Sequence, residues 1–250
     1  MNARQARPAM GIATEQTKKN KLLYKRFLDA FDGADLSAVK SAAQEAFRPN
    51  AHIDAAHPIN ETRGGDGYVE DIIAPMSRGL RGFQRRNDML IGGEYLGHEW
   101  VTSMGYFCGH FTAPMFGIAP SQRMEFVRFG EFHRMESGKI VQSQVFLGLA
   151  ELIIAMGRWP LAPSPGYEGL VPGPVTHDGI VLSSSDAATS RASGDLVEAM
   201  LMHLTSPDAL WRKYWHDDMI WYGPGGFGSY VSVDAFQAFQ TPFEQTFGGW

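Results

Sequence analysis

This 250-residue sequence has one cysteine, no long basic run and no apolar stretch approaching a membrane span. With Cys108 alone, no intrachain disulfide can form and a four-thiolate zinc site is excluded, which fits a reducing compartment. The net charge is −5 and only 20% of residues are charged, so a non-specific nucleic-acid surface is disfavoured. A bilayer-crossing helix needs roughly 20 consecutive apolar residues, and the polar start MNARQARPAMGIATEQTKKNK lacks the apolar centre of a signal peptide. The expectation is a cytoplasmic protein with no membrane or nucleic-acid partner. What is present is apolar content of 44%, enough for one large core or two small ones.

Apolar periodicity predicts a helix over Lys21 to Phe31 after a flexible start (residues 1–20), a second over Leu36 to Phe47, and a short strand around AHIDAAHP. A third helix is marked by Tyr68, Val69, Ile72, Ile73 and Met76. From Asp88 the period becomes two, giving four consecutive strands, a tight hairpin at MESGKI and a closing helix in LAELIIAMG. Helices followed by an antiparallel meander argue for an α+β domain over residues 21–158 rather than alternating α/β. The stretch Trp159 to Ser184 holds five prolines and four glycines, which exclude a long regular element. It is either a loop packed on one domain or a linker (159–190), and the linker is preferred because the opening pattern restarts beyond it. Phe47 aligns with Trp215, Ile53 with Trp221, Asp54 with Tyr222 and Pro75 with Pro242, at an offset of 167 or 168. The expectation is a second copy of the domain over 191–250, incomplete or degenerate because its strands are missing.

GPGGFG, residues 223–228, matches the G-x-G-x-x-G pattern of dinucleotide sites. A pyrophosphate loop opens a helix directly inside a strand-helix-strand unit, whereas SYVSVD intervenes here, so a turn after a strand is the reading and no dinucleotide is expected.

The segment GHFTAPMFGIAPSQRMEFVRFGEFHRMESGKIVQSQVF resembles the signature of the SnoaL-like polyketide cyclases, within the nuclear transport factor 2-like superfamily. Gly109, Thr112, Gly117, Ile118, Pro120, Arg123, Arg128, Phe132, Arg134, Gly138, Lys139, Ile140 and Val141 match it in order. The resemblance covers Lys21 to about Gly157 and, more weakly, Asp195 to Trp250. It implies a cone, a curved antiparallel sheet wrapped around helices with a pocket inside, and no cofactor or metal. It also implies pairing, as a homodimer or as an intrachain pseudo-dimer in a tandem chain. The implied chemistry is acid/base catalysis (aldol cyclisation, dehydration or isomerisation) on a hydrophobic carbonyl compound, although the superfamily also holds non-catalytic binding and assembly modules. Glu131 takes the position of the family's catalytic aspartate. The family histidine falls at Phe111, with His110 one residue earlier and facing the other way unless a bulge intervenes.

Strand alternation places Glu125, Val127, Phe129, Glu131, His133 and Met135 on one face of RMEFVRFGEFHRM. Glu131 and His133 then form either an acid/base pair, with the carboxyl pKa raised by Phe129 and Met135, or a surface ion pair. Asp54, His57, His52, His110, Tyr106 and Tyr222 are the candidate substrate-binding groups. His52 and Asp54 share a face at a spacing that two metal ligands can use, but no third ligand is near. Cys108 reads as a buried, inert thiol.

Overall fold

The computed structural model describes residues 14–246 except 34, 172, 185 and 205–207, so the expectations for residues 1–13 and 247–250 lie outside the described residues. Helix α1 spans Glu15–Asp29 and starts six residues before the expected Lys21. Thr14 caps it: its hydroxyl accepts from Thr17 N–H, and the Thr17 hydroxyl accepts from Thr14 N–H, both at 3.0 Å. Residues 15–20 are therefore not a loose tail. Thr17 and Asn20 are buried and donate to the Glu99 carboxylate at 2.8 and 3.4 Å. Polar residues at the start of the chain read as a tail, yet they face a carboxylate that only the fold supplies.

Helix α2 (Leu36–Ala46) leads directly into β1 (Phe47–Ala55) and β2 (Glu61–Arg63). A continuous helical stretch follows: α3 (Gly64–Gly67), a π-helical turn over Tyr68–Ile73, and α4 (Ala74–Gly79). The meander is β3 (Leu80–Tyr95), β4 (His98–Phe111), β5 (Met124–Glu136) and β6 (Lys139–Leu147), closed by α5 (Leu149–Ala155). Strand β3 begins eight residues before the expected Asp88. The sheet order is β2-β1-β6-β5-β4-β3, antiparallel throughout the meander, with β1 parallel to β6. Register shifts in β3 near Gln84 and Met89 mark bulges, the local device that bends a sheet. The inner face packs against α1 and the π-helical turn through Phe27, Tyr68, Ile72, Phe107 and Phe129. This is the α+β cone fold, with helices on a curved antiparallel sheet.

Gly105 faces β3 at one of these shifts. A Cβ there would sit 1.9 Å from the Arg86 carbonyl oxygen, backbone that cannot swing aside. Gly105→Ala should therefore cost about 1–3 kcal/mol in chemical denaturation, and an unchanged midpoint would show that the bulge is not rigid.

The Pro/Gly-rich segment is irregular, as its composition requires, and it hydrogen-bonds to the parts on either side of it. Gly179 and Val181 bond Leu90 on the free edge of β3 at 2.9 Å each, and the Lys21 ammonium donates to the Ser183 carbonyl at 2.6 Å. Farther along, Tyr167 exchanges hydrogen bonds with Ser229 at 2.9 and 2.8 Å, tying the segment to the C-terminal part as well.

That part contains α6 (Ala187–Met202), a 3-10 turn (Leu210–Tyr214), β7 (Ile220–Trp221), β8 (Tyr230–Val231) and α7 (Val233–Thr246). It has its own small core around Trp211, Val233 and Phe236. In β1 and β2, His52 pairs with Arg63 and Ile53 with Thr62. In β7 and β8, Ile220 pairs with Val231 and Trp221 with Tyr230, each residue 168 positions later. The stacked rings of Phe47 and Tyr68, 5.2 Å apart, have their counterpart at the same offset in Trp215 and Phe236, stacked at 5.4 Å.

Candidate functional site

Alternation on β5 turns Glu131 and His133 inward, and both side chains are fully buried. The interior there is a closed polar network. Arg85, from β3, grips the Glu131 carboxylate with both terminal nitrogens, at 2.7 Å to Oε2 and 3.2 Å to Oε1. Tyr68 donates to Oε1 at 2.7 Å and Tyr24 to Oε2 at 3.0 Å. His133 Nε2 lies 3.4 Å from Oε2 and 3.1 Å from the Tyr24 hydroxyl, while its Nδ1 meets Ser143 Oγ at 2.7 Å. Ser103 Oγ bonds both Tyr24 and Arg85. The guanidinium lies over the Phe129 ring at 4.2 Å and is flanked by Phe31 and Phe107.

This arrangement corrects the expected electrostatics. Burial pushes the Glu131 carboxyl up, as anticipated, but the Arg85 charge and the His133 hydrogen bond outweigh it and hold the group well below the usual carboxylate range. Burial and the Glu131 charge together push the Tyr24 and Tyr68 phenols up, so both stay protonated donors. Arg85 is not among the expected site residues because it precedes the expected strand start at Asp88. Phe83 and Arg85 alternate with exposed neighbours once β3 is extended to Leu80, and that was the available signal.

The other candidates do not join this network. His52 and Asp54 lie on the opposite face of β1 from the buried Ile53; they contact each other at 2.9 Å, and His52 also meets Glu61 at 3.3 Å. His57 is exposed and, among the described residues, hydrogen-bonds Asn60 at 3.4 Å. Register between β4 and β5 is continuous, so no bulge intervenes and His110 points outward, exposed, opposite Met124. Tyr106 is also on the outer face, where its hydroxyl accepts from Val171 N–H at 3.2 Å and donates to Val171 O at 3.1 Å. Cys108 is buried and its thiol is pushed up by desolvation, as an inert thiol should be.

The outer face carries a cleft of about 520 Å³. Its floor is Thr102, Met104, Phe132 and Phe146, its edge Met89 and Ile91, and its far wall Tyr222, Pro224 and Gly225. That wall belongs to the glycine-rich loop, which docks on the sheet and carries no dinucleotide-site geometry. Arg128 donates to the Gly223 carbonyl at 2.6 Å and to Glu151. Gly228, at φ +74°, lies so close to Gly166 that a Cβ would approach its backbone to 2.4 Å, which explains glycine there. A smaller depression of about 300 Å³ lies between α1, α2 and the β5–β6 turn, and Tyr24 and Met135 line it. Glu131 and His133 line neither space.

Fold and site thus define an α+β cone protein with a sealed ionic interior and an apolar cleft on the outside of its sheet. No protein-family model matches the sequence, and no curated protein matches it. Among solved structures, it is similar to a provisionally assigned SnoaL-like polyketide cyclase from Jannaschia sp. CCS1, with 16% identity, a TM-score of 0.47, and coverage of 60% of this chain and 97% of that one. It is also similar to an NTF2-like protein from Burkholderia thailandensis E264, with 17% identity, a TM-score of 0.42, and coverage of 55% and 96%. A third is IdmH from Streptomyces antibioticus, provisionally assigned as a polyketide cyclase, with 14% identity, a TM-score of 0.45, and coverage of 55% and 98%. No helix among the described residues is long and apolar enough to cross a membrane, and those residues hold no cluster of three metal-ligating side chains.

Proposed function

We propose that this chain is a small-molecule-binding module whose ligand occupies the outer cleft, and that the interior carboxylate is structural. The carrying observation is the Arg85–Glu131 pair: it fills the interior and satisfies both carboxylate oxygens, while the accessible apolar volume lies on the other side of the sheet. An ionised, fully partnered carboxylate with a lowered pKa is a poor base near neutral pH. The shared strand register and ring stacking support reading 187–246 as a partial second copy of the cone's helical half. In this chain it supplies one wall of the cleft.

A second reading keeps Glu131 and His133 as the acid/base pair of a cyclase-, dehydratase- or isomerase-type enzyme acting on a hydrophobic carbonyl compound. Its support is Tyr24, which lines the smaller depression and hydrogen-bonds both groups. In that reading substrate enters beside Tyr24 and Met135. The exposed positions of Asp54, His52 and His57 give it no help in orienting a substrate oxygen.

Methionine methyl spectra separate the two. Titration with the uncharged fluorophore N-phenyl-1-naphthylamine should shift the Met89 and Met104 methyls saturably and leave Met135 in place. Shifts at Met135 with Met89 and Met104 unmoved would put the ligand at Tyr24 and overturn the binding reading.

A further inference from the structure

Resting on that binding reading, we propose that the outer cleft selects an uncharged, ring-bearing apolar molecule and discriminates against anions, because the one cation at its end is already neutralised from within the protein. Met104, Phe132, Phe146 and Ile91 offer aromatic rings and polarisable, adaptable side chains, which suit flat ring systems. A volume of about 520 Å³ lies within the ordinary range for small-molecule sites. Arg128 carries the charge an anion anchor needs. Its guanidinium, however, is committed to the Glu151 carboxylate and the Gly223 carbonyl.

The two side chains are only 16% and 21% exposed. An entering carboxylate or sulfonate would have to share or displace Glu151, leaving one carboxylate partly desolvated and without its cation, a costly state. A cation entering beside Glu151 would strand Arg128 in the same way. A neutral ligand disturbs neither group, and its hydroxyl or carbonyl can add a hydrogen bond to the pair from outside. The same pair fastens the glycine-rich loop, so the group that excludes charge also builds the wall.

The test compares two probes with one ring skeleton. N-phenyl-1-naphthylamine is uncharged, and 8-anilinonaphthalene-1-sulfonate adds a single negative charge. The neutral probe should bind the intact chain at one saturable site, and the anionic probe should bind at least roughly tenfold more weakly, a difference of about 1.4 kcal/mol. The readout in variants is the ratio of the two affinities. Glu151→Gln leaves Arg128 uncompensated and should shift the ratio roughly tenfold toward the anion. Arg128→Gln leaves Glu151 uncompensated and should shift it further toward the neutral probe. Both substitutions weaken the hold on the loop, so a purely structural effect would move both ratios alike.

Equal affinities in the unaltered protein, or a ratio that both substitutions leave unchanged or move in the same direction, would overturn the charge selection while the cleft remained a binding site. Met104→Trp, which fills the floor, should abolish binding of the neutral probe. If it does not, or if that probe never saturates, the binding reading itself falls, and the selection with it.

Discussion

Arg85→Met should destabilise the fold by about 3–5 kcal/mol, because it strands the Glu131 carboxylate where water cannot reach it. Both side chains of the pair are fully buried, and Tyr24 and Tyr68 cannot replace a full positive charge. Glu131→Leu should cost about as much by stranding the guanidinium among Phe31, Phe107 and Phe129. The double variant removes both charges and should recover much of the loss, since apolar replacement of a whole buried pair is often neutral. Urea denaturation of the four proteins measures this directly. A single substitution costing under about 1 kcal/mol would mean that water enters the interior and that the pair is not sealed.

The same pair sets an acid limit. The Glu131 carboxyl is held below its ordinary value of 4.5 in the folded state. Its contribution is therefore fully present above the unfolded value and declines as the pH falls below 4.5 toward the folded one. The double variant should lose less stability on acidification below that value than the parent. Equal acid slopes would show that other carboxylates control unfolding there.

Trp211→Ala should cost about 3–5 kcal/mol within the C-terminal part. Trp211 is 1% exposed and packs edge-on against Phe236, with ring centroids 5.2 Å apart, and few other large buried side chains share that small core. The loss should be local. The first core shares no buried residue with the second, so its strands should keep their amide protection while α7 and β8 exchange rapidly. Because Tyr222, Pro224 and Gly225 form the cleft wall, binding of the neutral probe should weaken together with this exchange. If protection were lost uniformly across β3 to β6, the chain would instead fold as one cooperative unit.

The order of elements and the facing of β5 were legible in the sequence. Alternation with period two is a local property, so Val127, Phe129, Glu131, His133 and Met135 share one face as read, and the fold turns that face inward. The offset behind the proposed second copy is likewise written along the chain, and β7 and β8 pair in the register of β1 and β2 at that spacing. The lone cysteine and the proline-rich stretch likewise fixed what could not form there.

The environment of Glu131 was not legible. Its apolar neighbours on β5 pointed to a raised pKa, and they do push it upward. The opposing charge comes from Arg85, 46 residues earlier in the chain. Only strand pairing across β3, β4 and β5 brings that guanidinium to the carboxylate, and its charge together with the His133 hydrogen bond outweighs desolvation. Nor does the sequence say which side of the sheet is open. Alternation divides the residues between two faces, but whether a face is filled or hollow depends on what packs against it. Here the helices fill the inner face, and a docked glycine-rich loop leaves the outer one a cleft.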